Sequence, residues 1–293
     1  MNRGDFVTWR TSFERQDRRK PATGPVSRLS YRPNPPLQSA RHHYRSREPS
    51  MTSPICLWSG PRNVSTALMY SFAQRDDIRV IDEPLYGHYL RVTGADHPGR
   101  EEVIASMNCD GEAVMRELVE PEPGDKRLFV KHMAHHLVDI DHGFLRLTSN
   151  IFLVRDPREM LPSLTIQLPH AELADTGLEQ QWRLYSELRD AGQTPAILDS
   201  RELLLDPAGV VTQLCDHLGL RFDPGMLSWE AGPIPEDGVW APHWYHAVHK
   251  STGFARYKAK IEFPEHLEGL LAECSPWYEK LYAHAFKSGR QGD

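Results

Sequence analysis

The sequence of 293 residues has few cysteines and no long apolar run. Its four cysteines, at positions 56, 109, 215 and 274, are too few and too dispersed for a disulfide framework or a C-x-x-C zinc site. No stretch approaches the roughly eighteen apolar residues of a membrane span, and no apolar segment of a secretory signal is found. We therefore expect a cytoplasmic protein without a membrane partner.

Positive charge is scarce over most of the chain and concentrated at its beginning. Residues 1–50 hold eleven Lys/Arg and four Asp/Glu, whereas the remainder has a net charge of −13. The same fifty residues contain six prolines and only six Leu, Ile, Val or Phe, too few to offset the entropy cost of ordering. We predict a disordered basic extension over 1–50. The acidic remainder, 51–293, argues against a nucleic-acid partner.

Three origins of this extension are open: a tail for an acidic partner, a transit peptide, or a start-site artefact upstream of Met51. Its four acidic residues count against a transit peptide, which is normally poor in acids. Met51 is followed by Thr-Ser-Pro and then at once by an apolar run, as at a true N-terminus. We therefore favour the artefact, or an extension without function.

Apolar runs alternate with helical patterns along 51–293, which is typical of a parallel sheet covered on both faces. Strands are predicted at 55–58, 78–81, 128–131, 151–154 and 195–198. Helices are predicted to begin near Ser65, to span 178–188 and 210–218, and to run from Ser275-Pro276 to about Phe286. The segment 94–125 is interpreted as an insertion. The sequence therefore predicts one P-loop-like α/β domain with three α/β/α layers and a central parallel sheet of about five strands.

The loop after the first strand reads S-G-P-R-N-V-S-T over residues 59–66 and leads into a helix. Ligands of open α/β sheets bind where strands end, and a helix N-terminus offers backbone N–H groups to an anion. Arg62, Ser65 and Thr66 add donors suited to phosphate or sulfate oxygens. The loop lacks the second Gly and the Lys of a Walker A motif. An ordinary strand–helix turn is the alternative explanation.

A second candidate anion site follows the fourth strand, in the segment V-R-D-P-R-E-M-L-P-S at 154–163. Asp156 and Pro157 have the pattern of an N-cap followed by the first helical residue. Arg155 then lies at the strand end and Ser163 two turns into the helix. Both side chains can meet one phosphate group.

Together these segments resemble the sulfotransferase family, which transfers sulfonate from 3′-phosphoadenosine-5′-phosphosulfate. The 59–66 loop is similar to the family's 5′-phosphosulfate loop, commonly P-R-S-G-S-T, and Arg155 and Ser163 match the spacing of its 3′-phosphate motif. Residues 197–220 are similar to a late strand–helix segment of the family, and 128–132 to a bacterial strand ending in Lys. The sequence departs from the family at Val64, which replaces a Gly, and at Pro162 inside the predicted helix.

The resemblance implies a role for each candidate residue. The 5′-phosphosulfate is assigned to the loop residues Gly60, Pro61, Arg62, Asn63, Val64, Ser65 and Thr66. Arg155 and Ser163 are assigned to the 3′-phosphate, and Lys131 and Arg62 to charge developing on the leaving group. Lys250 and Ser251 would cover the nucleotide from a late loop, with a solvated lysine as the alternative. No metal is expected, since fixed cations and backbone donors stabilise the transferred group.

Glu83 is the first candidate for the general base that takes the proton of the acceptor. Glu83-Pro84-Leu85 follows the second strand and resembles the corresponding residues of bacterial relatives. The alternative is that Glu83 only pairs with Arg62 or Lys131. His132 and His135 are further candidate bases.

Aromatic and histidine residues recur in two other places. Four aromatic residues of the late loop are candidates for the acceptor pocket: Trp229, Trp240, Trp244 and Tyr245. The spacing of His132, His135 and His136, and of His243, His246 and His249, would also allow a metal site. No carboxylate or cysteine offers a clear further ligand, so a metal is not favoured.

The sequence therefore predicts a sulfotransferase-like enzyme with a small-molecule acceptor. A P-loop kinase is the first alternative, because Asp82 after the second strand could hold a metal ion. The missing Gly-Lys-Ser/Thr counts against it. A non-catalytic nucleotide-binding module is the second alternative.

Overall fold

A computed structural model describes residues 52–120, 126–259 and 262–289, so the predicted extension at 1–50 lies outside the described residues. The strands are β1 (Ile55–Ser59), β2 (Ile78–Asp82), β3 (Arg127–Met133), β4 (Ser149–Val154) and β5 (Ala196–Asp199). They form one sheet in the order β2-β3-β1-β4-β5, and every neighbouring pair is parallel. The predicted α/β class and the five-stranded parallel sheet are confirmed.

Helices connect the strands. They are α1 (Ser65–Ala73), α2 (Tyr86–Thr93), α3 (Arg100–Ser106), α4 (Gly111–Val119), α5 (Pro157–Leu164), α6 (Leu173–Thr176), α7 (Leu178–Asp190), α8 (Ser200–Leu205), α9 (Pro207–His217), α10 (Ala241–Trp244) and α11 (Glu268–Tyr282). Short 3-10 helices occupy Ala134–His136, His142–Leu147, Pro224–Leu227, Val248–Lys250 and Glu265–Leu267. Within the described ranges, no helix has the length and apolar character that a membrane crossing requires.

The alternation of side chains along each strand divides the core into two layers. Leu57 and Phe129 contact apolar residues of α1 and α9 on one face of the sheet. Trp58, Val130 and Phe152 face the other way, where they pack with apolar residues of α5, α7 and α11. Both faces of the sheet are therefore covered, which explains why its strands are apolar without a polar face.

One sequence-based expectation about a helix was wrong. Pro276 does not start the last helix but lies inside α11, which begins at Glu268. Leu271 and Cys274, before the proline, are buried in the core, and this burial outweighs the cost of a proline in the helix. The described part of 94–125, interpreted from the sequence as an insertion, contains α3 and α4.

The late segment, residues 228–257, returns to the carboxyl ends of the strands. Its two ends meet at a bridge between Ser228 and Gly253. In its middle, Asp237 Oδ2 accepts a hydrogen bond from Tyr70 Oη on α1 at 2.7 Å and lies 2.8 Å from Nε2 of His249. These contacts fix the late segment over the edge of the sheet where the first strand opens into its loop.

Candidate active site

A cavity of about 720 Å³ lies at the carboxyl ends of β1, β3 and β4. The 60–67 loop and the start of α1 form one part of its wall, and the late segment forms another. Glu83, Lys131 and Arg155 enter the wall from the ends of β2, β3 and β4, and β1 lies between β3 and β4 in the sheet. The sheet order thus brings together residues that are far apart in the sequence.

Helix α1 begins at this cavity without a side-chain cap. Its N-cap is Val64, and its first turn contains no acidic residue. Four other helices, α4, α5, α8 and α9, do have a side-chain cap. In each of them an N-cap carboxylate accepts a hydrogen bond from a backbone N–H group of the first turn; the N-cap residues are Asp110, Asp156, Asp199 and Asp206. Because the first N–H groups of a helix need acceptors, the N-terminus of α1 is suited to an external anion.

Arg62 and Arg155 form a positively charged pair beside this helix end. Arg155 Nη1 donates to the backbone oxygen of Arg62 at 2.6 Å, and Arg62 Nε donates to Ser163 Oγ at 2.9 Å. Arg62 adopts a positive φ of 54°. Burial and the nearby charge of Arg155 lower the pKa of Arg62. Arg155 is paired with Glu159 at 3.5 Å, whereas none of the described carboxylates is ion-paired with Arg62, so an anion would relieve the repulsion between the two guanidinium groups.

Ser163, which the sequence assigned to the 3′-phosphate, contacts Arg62 instead of the cavity. Ser163 is not part of the cavity wall, and its hydroxyl accepts the hydrogen bond from Arg62. Pro162 lies inside α5, as expected, and the helix still presents Ser163 to Arg62. The backbone conformation at position 64 does not require a glycine, because the φ angle of Val64 is −93°.

Close packing fixes the loop at Gly60. A Cβ atom at Gly60 would lie 2.5 Å from the backbone oxygen of Thr176, so no side chain fits. Gln181, which the sequence motifs did not reveal, donates from Nε2 to the carbonyls of Trp58 (2.9 Å) and Leu153 (3.0 Å). It therefore joins the ends of β1 and β4 below the loop.

The Asn63 amide shapes the loop. Its Nδ2 donates to the carbonyl of Leu153 at 2.8 Å, and its Oδ1 accepts from the backbone N–H of Val64 and from the hydroxyl of Ser200. These contacts engage both ends of the amide. Asn63 thus lines the cavity but acts mainly by holding the loop against β4.

Lys131 is the centre of a buried polar network. Its Nζ donates to Asp82 Oδ1 at 2.9 Å, to Tyr245 Oη at 2.8 Å, and to Glu83 Oε1. An ammonium group has three donors, so all are occupied. Burial alone would lower the pKa of Lys131, but the charges of Asp82 and Glu83 raise it well above its ordinary value.

Glu83 lies between this network and a histidine. Oε1 contacts Lys131, whereas Oε2 lies 3.8 Å from Nδ1 of His136, beyond hydrogen-bond reach. Burial raises the pKa of Glu83, and Lys131 opposes the rise. Its φ of 39° is a strained backbone conformation for a non-glycine residue. The ion pair considered as the alternative role of Glu83 is therefore formed with Lys131, and Glu83 also lines the cavity.

The histidines after Lys131 have different surroundings. His132 points into the core on the opposite face of the sheet, stacks on Trp58 at 4.4 Å and is not part of the cavity wall. Its placement does not support a role as base. His135 and His136 do line the cavity. Burial lowers the pKa of His135 to about 3 and that of His136 well below its ordinary value, so both are neutral.

The late segment contributes some of the expected residues. Ser251, Trp244 and Tyr245 line the cavity, whereas Lys250 is exposed and is not part of the wall. Ser251 Oγ donates to the carbonyl of Val248 at 2.7 Å and accepts from Trp229 at 3.1 Å. Trp229 and Trp240 are buried in the core instead. The described residues include no group of three or more His, Cys, Asp or Glu that could hold a metal ion.

Other wall residues carry no sequence motif. Tyr86, Tyr89 and His97 line the cavity from α2 and the segment after it. The available signal for Tyr86 and Tyr89 was their position shortly after Glu83, at the same edge of the sheet, whereas His97 lies further along the chain. The candidates that the sequence offered for the acceptor pocket lie in the late loop and do not include these residues.

A sequence model of one family, described as the sulfotransferase domain, matches residues 53–285. The chain belongs to the sulfotransferase family. Two curated proteins similar to this sulfotransferase-family chain come from Arabidopsis thaliana and are named branched-chain-amino-acid aminotransferase-like proteins 2 and 1. They are 43% identical over 232 residues and 42% identical over 229 residues. Each match covers 78% of this chain but 41% of the relative, so the chain spans about two fifths of their length.

Solved structures similar to this sulfotransferase-family chain include two sulfotransferases. The sulfotransferase domain from the curacin biosynthetic pathway is 17% identical with a TM-score of 0.44, and the match covers 78% of this chain and 99% of that one. The sulfotransferase from Alicyclobacillus acidocaldarius is 15% identical with a TM-score of 0.47, covering 78% and 94%.

Proposed function

We propose that this member of the sulfotransferase family transfers a sulfonate group from 3′-phosphoadenosine-5′-phosphosulfate to a hydroxyl or amine of a small-molecule acceptor. One observation carries the proposal: the uncapped N-terminus of α1, Arg62 and Arg155 share a cavity with the carboxylate of Glu83. The first three provide a site for a multiply charged anion. The carboxylate provides an acceptor for a proton.

The donor would be held by two positive regions. The N–H groups of α1, with Ser65, Thr66 and Arg62, bind the 5′-phosphosulfate. Arg155 binds the 3′-phosphate. Ser163 has a supporting role, since its hydroxyl orients the guanidinium of Arg62.

In the reaction, the acceptor oxygen or nitrogen attacks the sulfur in line with the bridging oxygen. The new bond to sulfur forms as the bond between sulfur and the bridging oxygen breaks, and the acceptor proton passes to Glu83. The other product is 3′-phosphoadenosine-5′-phosphate. Lys131 and Tyr245 hold Glu83 in place, and Arg62 and the α1 N–H groups stabilise the charge on the leaving phosphate.

The kinase alternative has less support from the site. It needs Asp82 as a ligand of Mg²⁺, yet Asp82 Oδ1 and Oδ2 accept hydrogen bonds from Lys131 (2.9 Å) and Tyr245 (2.7 Å). Side-chain exposure of Asp82 is 1%. A buried carboxylate that is already neutralised by an ammonium group is a poor metal ligand.

The test is transfer of radiolabelled sulfonate from the donor to a panel of hydroxylated and amine compounds, measured for the wild type and for Glu83→Gln. We expect Glu83→Gln to lower kcat by about 10²–10⁴-fold while binding of the nucleotide product is retained. His132→Phe is the matched control and should leave kcat unchanged, because His132 lies outside the cavity. Equal rates for Glu83→Gln and the wild type would refute Glu83 as base. Nucleotide binding without transfer to any acceptor would favour the non-catalytic module.

A further inference from the structure

A cluster of aromatic and imidazole rings forms the end of the cavity nearest to Glu83. We call it the ring cluster, and its members are Tyr86, Tyr89, His97, His135, His136 and Trp244. His136 is its centre: its ring stacks on Tyr86 at 4.8 Å and on Tyr89 at 4.5 Å. His97 extends the cluster to Trp244, with ring centroids 6.1 Å apart. All six rings line the cavity.

The charges around the ring cluster are negative. Asp96 and Asp175 also line the cavity, and both act on His97, opposing the lowering of its pKa by burial. Among the described wall residues the Lys and Arg side chains are Arg62, Lys131 and Arg155. The two arginines belong to the anion site, and the charge of Lys131 is exceeded by those of Asp82 and Glu83.

The buried histidines of the ring cluster do not add positive charge to it. His135 and His136 are uncharged, because burial lowers the pKa of both. Their Nδ1 atoms are buried and without a hydrogen-bond partner among the described residues. The ring cluster is therefore an aromatic surface in a negative field, next to a site that is positive.

We propose that the ring cluster binds a cationic ammonium group, and that the acceptor is a small hydroxylated molecule carrying such a group. The proposal rests on the proposed sulfonate transfer and names the acceptor class for the same site. Aromatic faces attract ammonium groups through their quadrupoles, and nearby carboxylates add to that attraction.

The position of His136 connects the ammonium site with the reacting group. Its ring belongs to the cluster, while its Nδ1 lies 3.8 Å from Glu83 Oε2. Glu83 lines the same cavity, so a hydroxyl group of the acceptor can reach its carboxylate. An acceptor whose ammonium group rests on the rings would thus present its hydroxyl to Glu83.

Other acceptor classes fit the site less well. A carboxylated or phosphorylated acceptor would meet Asp96, Asp175 and Glu83 without a free cation to pair with. A neutral phenol would stack on the rings but gain nothing from the carboxylates. The charge of the acceptor is therefore the property that separates the possibilities.

The experiment compares pairs of ligands that differ in charge, by calorimetry on the protein saturated with 3′-phosphoadenosine-5′-phosphate. One pair is hydroxyethyl-trimethylammonium and its neutral isostere, in which a tert-butyl group replaces the trimethylammonium. The second pair is hydroxyphenyl-ethylamine and propylphenol, in which a methyl group replaces the ammonium group. We expect the cation to bind about tenfold more tightly than its neutral partner. Equal or weaker binding of the cations in both pairs, or no binding of any member, overturns the proposal.

Matched variants locate the binding site. Asp96→Asn combined with Asp175→Asn should remove most of the preference for the cation, and the amide introduced by Asp175→Asn retains an oxygen for the backbone N–H of Glu172. Asp216→Asn, on exposed α9 surface, is the charge control and should leave the preference intact. Trp244→Leu should weaken cation binding and Trp244→Phe should restore it. An unchanged preference in the double Asp variant would contradict the assignment.

Binding of the nucleotide tests the proposed function separately from the ammonium site. If 3′-phosphoadenosine-5′-phosphate does not bind, the proposed function fails. The same ligand pairs are then titrated into the free protein and followed by tryptophan fluorescence. A cation preference there would support the ammonium site independently, and its absence would overturn it.

Discussion

Tyr245 Oη accepts a hydrogen bond from Lys131 Nζ at 2.8 Å, although 114 residues separate the two in the chain. The same hydroxyl donates to Asp82 Oδ2 at 2.7 Å. Through this contact the late segment completes the network that holds Glu83. The proposed general base, Glu83, is therefore positioned by a residue outside the sheet, and loss of one hydroxyl should affect both stability and catalysis.

Tyr245→Phe tests this coupling. Removing the hydroxyl leaves a donor of Lys131 and an oxygen of Asp82 without their partner, so we expect a loss of about 1–3 kcal/mol in the free energy of unfolding. The rate of transfer should also fall, and its pH dependence should shift, because Glu83 loses part of its support. Denaturant unfolding and kcat against pH measure the two effects.

Tyr282→Phe is the control for Tyr245→Phe. Tyr282 Oη donates to Glu202 Oε1 at 2.6 Å, so this variant also loses a tyrosine–carboxylate contact, but outside the cavity wall. It should lower stability without changing kcat. A Tyr245→Phe enzyme with wild-type kcat and pH profile would contradict the positioning role.

Gly60→Ala should distort the loop that begins the anion site. The added methyl group would lie 2.5 Å from the backbone oxygen of Thr176, a contact that the chain must relieve by moving. We expect a loss of about 1–3 kcal/mol in stability and weaker nucleotide binding. Gly269→Ala, where a Cβ meets nothing within 4 Å, should be neutral or stabilising. Calorimetry measures the affinity of both variants for 3′-phosphoadenosine-5′-phosphate. Equal affinities of Gly60→Ala and Gly269→Ala would refute the steric argument.

Asp199 makes stability depend on pH. Burial raises its pKa to about 6, although backbone N–H groups and Tyr278 partly oppose the rise. The folded state thus holds the proton more tightly than the unfolded state, whose Asp pKa is about 3.9. The protonated Asp199 therefore contributes to the free energy of unfolding. This stabilisation is complete below about pH 4 and is lost as the pH rises through about 6.

The Asp199→Asn variant isolates this effect, since Asn keeps an oxygen for capping α8 but does not titrate. Between about pH 4 and pH 7, the wild type should lose about 3 kcal/mol of unfolding free energy relative to the variant. Urea unfolding at several pH values measures the difference. A difference that stays constant with pH would show that Asp199 has an ordinary pKa.

Arg155→Ala should remove selectivity for the 3′-phosphate. The wild type is expected to bind 3′-phosphoadenosine-5′-phosphate more tightly than adenosine 5′-phosphate, and the variant should bind the two alike. Arg158→Ala is the matched control, because Arg158 lies three residues further along the chain, in the first turn of α5, and its side chain is 58% exposed. Equal weakening of both nucleotides by Arg155→Ala would refute this role and place Arg155 at a shared phosphate.

Local patterns predicted the strands, the start of α1 and the Asp156-Pro157 cap of α5, because each depends on neighbouring residues. The predicted start of the last helix was wrong, although it too was based on neighbouring residues. Ser275-Pro276 has the pattern of a helix start, but α11 continues through both residues. The reason is tertiary, since Leu271 and Cys274 before the proline are held in the core.

The candidate site was predictable where a motif marks it. The loop and the Arg155–Ser163 spacing indicated two strand ends, but the sequence could not give the order of the strands. It therefore left open whether Glu83 pairs with Arg62 or Lys131. That Ser163 contacts Arg62, and that Tyr245 reaches Lys131, depends on loop paths set by distant packing.

The most direct test of the proposed function is calorimetry with 3′-phosphoadenosine-5′-phosphate and with ATP, each with and without Mg²⁺. The anion site at α1, Arg62 and Arg155 predicts tight binding of the 3′-phosphorylated nucleotide that does not require Mg²⁺, and weak or no binding of ATP. Binding of ATP that requires Mg²⁺, or no binding of either nucleotide, would contradict a sulfonate-donor site in this cavity.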